Sequence, residues 1–313
     1  MTLGKNATGI YENNSNLVIE GNTIQSIKEN SKGIVGINSS LKNNALLKFS
    51  GDNSLGIYSK NNDIAPKSIE NSGNIEVTGK KTVGVYLEGN SAQTLLNSGN
   101  ITVNDTQDLD RNNSTIGIYA KDGLIDITNN GTINVNGEYS LGMYASGTGS
   151  TATNNSNIIL NANNTTGIYA DNGATAVNTG NITTGSGTYE NVVGVYLGQG
   201  STLNNSGSIT INSANGVGVY LKGGTVVNRG NITVNGSNDP ADTDYSFTTP
   251  PTGKAVGGAA IDAPQGATSA TVTINGVLQN PVNIHTFARN PVTVSASSIG
   301  LYVNTSGVDY TNA

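Results

Sequence analysis

The sequence predicts an all-β fold, a right-handed parallel β-helix of about ten rungs, each of roughly 26 residues with three short strands. Three observations carry this. An apolar-Gly-aliphatic-Tyr motif recurs with its glycine at Gly9, Gly56, Gly84, Gly117, Gly142, Gly167, Gly194 and Gly218. It recurs imperfectly at Gly36 and late at Gly300, and the steps from Gly9 to Gly218 are 27, 20, 28, 33, 25, 25, 27 and 24 residues. A second motif, Asn-x-Gly or a close variant followed by alternate Ile and Val, runs in fixed phase behind the first. Finally, the strong helix formers are thin along most of the chain, which argues against an all-α solenoid.

The first strand of a rung reads as period two. The residues one before, one after and three after the glycine are mostly aliphatic, as in Val193/Val195/Leu197, Val217/Val219/Leu221 and Leu141/Met143/Ala145. Alternation places these toward the core and leaves Gly and Tyr outward. The third strand shows the same beat in Ile75/Val77, Ile101/Val103, Ile133/Val135, Ile158/Leu160, Ile209/Ile211 and Ile232/Val234. Between them, four residues before the second glycine, Ile69, Leu95, Ile127, Ala176, Leu203 and Val226 supply the inward position of a middle strand.

The corner after the middle strand carries Asn71, Asn97, Asn129, Asn154, Asn178, Asn205 and Asn228. Rungs stacked at ~4.8 Å bring such amides into line, donor beside acceptor, so an inward ladder is expected. The glycine that follows (Gly73, Gly99, Gly131, Gly180, Gly207, Gly230) suits a left-handed backbone at that corner. On the first strand Tyr58, Tyr86, Tyr119, Tyr144, Tyr169, Tyr196 and Tyr220, with Tyr11 and Tyr302 in the same place, form an outward column. Two readings of it stay open: rings packed on one another, or a platform for sugar rings or a partner's side chains.

Organisation follows from where the beat holds. Residues 1–235 read as regular rungs, looser over 1–50; 236–256 reads as an extended loop insertion; 257–313 reads as degenerate rungs. The chain starts and stops within the repeat, and solenoids need polar caps, so it reads as a piece of a longer protein. Rival repeats fail: the L-x-x-L-x-L spacing of leucine-rich repeats is missing, and a membrane barrel needs strands of ~9–11 residues with aromatic girdles at both ends.

Composition narrows the function classes. Charged residues are 12% of the chain, about half the usual ~25%, and the net charge is −6. No basic cluster is present to displace counterions from nucleic acid. No run approaches the ~20 apolar residues of a membrane helix, and residues 1–30 lack the basic and apolar regions of a signal peptide. The absence of cysteine removes disulfides and thiolate chemistry.

Catalytic signals are equally thin, so no catalytic residue, metal or cofactor is assigned. His285 is the only histidine, and no nucleophile turn lies near it. The spacings Asp105/Asp108/Asp110 and Asp239/Asp242/Asp244 allow Ca²⁺ but match no established calcium loop, and solvated loops describe them better. Asp239, Asp242, Asp244, Tyr245 and Phe247, an insertion mixing acids with large aromatics, are the candidate contact surface for a partner; packing back onto the solenoid wall is the alternative.

Gly-Ile-Tyr-Ala (117–120, 167–170), Asn-Ser-Gly-Asn-Ile (71–75, 97–101) and the closing stretch from Ser298 to Gly307 resemble the passenger regions of large fusobacterial autotransporter adhesins. The likeness covers nearly the whole chain. It implies a type V secretion passenger displayed at the cell surface, attached to the outer membrane only through a C-terminal barrel absent from this sequence. It further implies partners among host-cell or bacterial surface receptors, protein or glycan. A polysaccharide-active β-helix enzyme and a non-binding spacer are the competing expectations.

Overall fold

A computed structural model describes residues 1–104 and 114–236, and beyond them the backbone of the strands 260–262, 271–274, 277–278, 284–286, 292–294, 299–303 and 309–312. The chain winds as a parallel β-solenoid whose described residues contain no helix. Nine complete rungs run from Thr8–Asn13, Asn16–Ile19 and Thr23–Ser26 to Val217–Leu221, Gly224–Asn228 and Asn231–Asn235. Stacking them generates three long sheets, the first carrying the tyrosines, the second ending on the corner asparagines, the third carrying the Ile/Val pairs. Every neighbouring pair within these sheets is parallel and in register, for example Tyr86↔Tyr119, Asn97↔Asn129 and Ile101↔Ile133. Differences in rung length are absorbed between strands, so the side-chain columns stay straight.

The bore is filled by the residues that alternation selects. Ile75, Val77, Ile101 and Val103 from the third sheet, Ile69 and Leu95 from the second, and Val195 and Leu197 from the first are fully buried or nearly so. Each such side chain contributes roughly 1.5–3 kcal/mol by leaving water. β-Branched residues dominate because they suit a pleated surface packed on its inner side.

The structure corrects the expected phase of the first strand. Its burial pattern is not a clean alternation: in Val193–Leu197 the order is half-buried, buried, buried, half-buried, buried. Leu141, Val193 and Val217, expected inward, are only partly buried, and none belongs to the core cluster. Val83, though 7% exposed, also stands outside that cluster. The glycine, expected outward, turns toward the bore instead. A methyl group on Gly194 would lie 2.5 Å from the Gly218 carbonyl oxygen and 2.6 Å from Ile209 Cγ2. The chain bends here, putting two successive residues inward and breaking period two.

The second glycine column also differs from expectation. Gly73, Gly99, Gly131, Gly180, Gly207 and Gly230 are not among the residues with positive φ. A side chain on any of them would run into the backbone of the preceding rung, so close approach and not handedness requires glycine. Left-handed residues sit at another corner, just before the first sheet: Asn53, Lys81, Tyr139, Asn164, Asn191 and Asn215 have φ between 52° and 57°. Asparagine tolerates that conformation and lysine does not, by about 1–2 kcal/mol. Lys81→Asn is therefore expected to raise stability by about 1 kcal/mol, read as a higher urea midpoint at unchanged m-value.

Past Asn235 the order of strands is not the order of rungs. Val292–Val294 pairs directly on Asn231–Asn235, Ile299–Val303 on Val217–Leu221, and Asp309–Asn312 on Gly224–Asn228. These three strands make a tenth layer. Ile284–Thr286 precedes them in sequence yet pairs beyond Asp309–Asn312. Ala260–Asp262, Thr271–Ile274 and Val277–Leu278 form an antiparallel sheet of their own.

Candidate functional site

Two columns dominate the molecule, one buried and one on its surface. In the buried one, each corner amide donates to the next: Asn71 Nδ2 to Asn97 Oδ1 at 2.7 Å, Asn97 to Asn129 at 2.8 Å, and Asn129 to Asn154 at 3.1 Å. The chain continues through Asn178 and Asn205 to Asn228 at 3.0, 2.8 and 2.7 Å. The second amide hydrogen turns to the corner carbonyl two residues on, as from Asn97 to Gly99 at 2.8 Å. Asn43, which the sequence reading missed, starts the ladder by donating to Asn71 at 2.8 Å. Its corner reads Asn43-Asn44-Ala45, without the glycine, but counting one rung back from Asn71 finds it.

A hydroxyl column also went unread. Ser54, Thr82, Thr115, Ser140 and Thr165, each two residues before the first-strand glycine, are buried. Thr82 Oγ1 donates to the Gly51 carbonyl at 2.9 Å and Thr115 Oγ1 to that of Gly79 at 2.8 Å. The recurring Ser/Thr was visible in the sequence; its inward direction was not.

On the surface, Tyr58 through Tyr220 stack along the first sheet. Ring centroids are 5.7 Å apart for Tyr58–Tyr86, 4.4 Å for Tyr119–Tyr144, 4.4 Å for Tyr169–Tyr196 and 4.9 Å for Tyr196–Tyr220, with planes within 12° of parallel. Tyr86–Tyr119 and Tyr144–Tyr169 meet edge to face at 5.1 and 4.8 Å. Each contact adds about 0.5–1.5 kcal/mol. In the stacked pairs the ring faces are turned to one another, and edges and hydroxyls point outward. Lys32 caps the lower end, its ammonium 5.0 Å from the Tyr58 centroid.

Two carboxylates hold the hydroxyl line. Glu88 accepts from Tyr58 at 2.5 Å and Tyr86 at 3.0 Å, and Asp171 accepts from Tyr144 at 3.0 Å. Burial pushes the Glu88 carboxyl up, but the two hydroxyls and Lys60 outweigh it and leave it below its ordinary value. Burial first, then these carboxylates and neighbouring rings, pushes the phenols of Tyr58, Tyr86 and Tyr144 well above theirs; burial and neighbouring groups do the same to Tyr169. The sign follows: the unfolded chain, whose phenols titrate near pH 10, releases its protons first as pH rises. The stabilisation is whole below about pH 10 and is lost above it. The share of the tyrosinate absorbance that comes from this column is expected to rise together with loss of the β-sheet circular dichroism signal, not ahead of it.

Asp239, Asp242, Asp244, Tyr245 and Phe247, and likewise Asp105, Asp108 and Asp110, lie outside the described residues. His285 falls in the strand Ile284–Thr286, opposite Thr311. Among the described residues no three His, Cys, Asp or Glu converge closely enough to hold a metal ion. The cross-rung ion pairs Lys42–Glu70 at 3.5 Å and Lys48–Glu76 at 2.9 Å are solvent-exposed and contribute little.

Compared with known proteins, the chain matches the sequence model of a family described as the BigA third pectate lyase-like domain, over residues 1–181 and again over 155–249. No curated protein and no solved structure matches it.

Proposed function

This chain belongs to the BigA third pectate lyase-like domain family, and on that premise we propose that it is a non-enzymatic, surface-displayed segment of a bacterial adhesin. One observation carries the reading: among the described residues, apolar side chains fill the bore from Leu3 to Val234, so a partner would meet loops and outer faces. Nine rungs at ~4.8 Å give a rod of roughly 43 Å whose function is reach and display. Export as an autotransporter passenger to the outer surface, and attachment to host cells or other bacteria, are consistent with the resemblance noted in the sequence. The acidic, aromatic insertion at 239–247 is a proposed contact, with a surface protein or glycan as receptor.

The test is attachment. Beads coated with the full chain are expected to bind cells above the level of bare beads, and deletion of residues 239–249 to reduce that binding. Attachment no better than bare beads makes the chain a spacer. Steady release of reducing ends from a polysaccharide would replace the adhesin with an enzyme.

A further inference from the structure

The broken alternation of the first strand creates a surface the sequence did not announce. Because the residue before each glycine stays outside the bore, the first sheet carries a second, half-buried ridge beside the tyrosines: Leu55, Ile116, Leu141, Val193 and Val217, with Val83 sunk in line with them at 7% exposed. Thr166 interrupts it once. The two residues between the ridges point inward, so an aliphatic ridge and an aromatic ridge run parallel, three residues or about 10 Å apart. On the far side of the tyrosines, two residues on, lies a third column: Lys60, Glu88, Lys121, Ser146, Asp171, Gly198 and Lys222. From Leu55 to Val217 the stripe is roughly 29 Å long and about 16 Å wide. With its ridges counted, that area suits a transient partner better than an obligate one, whose interface runs to ~800 Å² per side and beyond.

We propose that this stripe is a homotypic interface, on which a second copy of the chain lies face to face with its axis reversed. Pitch is the first reason, since a second copy presents the same ridges at the same ~4.8 Å spacing along the whole length. Charge is the second. With the two-fold axis between the rungs of Tyr144 and Tyr169, Glu88 faces Lys222 twice, Lys121 faces Gly198, and Ser146 faces Asp171. No like charges meet across those six rungs. A shift of one rung one way sets Lys60 on Lys222, which offsets the Lys121–Asp171 contacts it makes; the other way sets Lys121 on Lys222 and Asp171 on Asp171. Parallel copies would bury the charged column against the aliphatic ridge, which is costly. A two-fold axis makes each pair reciprocal, as an isologous dimer requires. The inference deepens the attachment reading, on which it rests for its setting, by making copies on opposing cells one another's partner.

Sedimentation of the full chain over a concentration series tests this. The expected result is a reversible monomer–dimer equilibrium that Lys222→Glu weakens about tenfold or more and that Glu88→Lys with Lys222→Glu restores. If Glu88→Lys unfolds the chain, Val193→Lys on the aliphatic ridge takes its place and is expected to abolish the dimer. A monomer at every concentration overturns the inference, as does a dimer indifferent to Lys222→Glu and Val193→Lys. Cell attachment by the same variants separates the two readings. Attachment without a dimer removes only the homotypic interface, and a dimer without attachment removes only the adhesin.

Discussion

Replacing Asn97 by alanine is expected to cost the fold roughly 3–5 kcal/mol. The side chain is fully buried and makes three hydrogen bonds: from Asn71 at 2.7 Å, to Asn129 at 2.8 Å and to the Gly99 carbonyl at 2.8 Å. Removing it strands a donor on Asn71 and acceptors on Asn129 and Gly99, each an unmet polar group in a dry bore. Stranding one such group costs about 1–3 kcal/mol. An exposed asparagine pair supplies the control. Asn155 donates to Asn130 at 3.0 Å in the open, and Asn155→Ala is expected to cost less than ~0.5 kcal/mol. Urea titration of both variants decides the matter; equal midpoints would show that burial of the amide column is not what gives it its value.

Gly99→Ala is expected to be the more damaging change, above ~4 kcal/mol or enough to prevent folding. A methyl group there would lie 2.7 Å from the Gly73 carbonyl carbon and closer still to its oxygen. Both are backbone atoms held by the hydrogen bonds that space the rungs, so the Gly99 corner would have to shift as a whole, unlike the corners built around Ala45 and Ser156. The clash would push apart two rungs whose Asn71 and Asn97 amides must stay within bonding distance. Gly4→Ala, where nothing lies within 4 Å of the added methyl, is expected to leave the melting temperature unchanged. Thermal unfolding with limited proteolysis reads both. A soluble, protease-resistant Gly99→Ala protein would mean that rung spacing can stretch, contrary to the close packing of protein interiors.

Much of this architecture was legible because a solenoid repeats its local chemistry. Ile75, Ile101 and Ile133 mark the same wall of the bore in successive rungs, and each confirms the phase of the others. The asparagines could be placed for the same reason, since a residue recurring in one phase must stack on itself. The hydroxyl column shows the limit. Thr82 and Thr115 recur just as faithfully, but a small polar residue suits a surface corner as well as a buried one. Burial is decided by whether a carbonyl, here that of Gly51 or Gly79, waits within reach. Glu88 and Asp171 were invisible for a different reason. They occur once each, and only stacking brings them to the hydroxyls of Tyr58 and Tyr144 from rungs nearly thirty residues away.

By itself, then, the sequence determined the beat, the three walls of the coil and the residues that fill it, because those depend on a spacing of two along a strand and one lap per repeat. Tertiary structure alone decided that Val193 and Val217 stay out of the bore, since for Val193 that depends on a bend at Gly194 set by the carbonyl above and the isoleucine behind. It alone decided that Val292–Val294 would settle on Asn231–Asn235 across more than fifty intervening residues. Strand pairing over such a distance is chosen by the free edge of the growing stack, and no local pattern records where that edge will be.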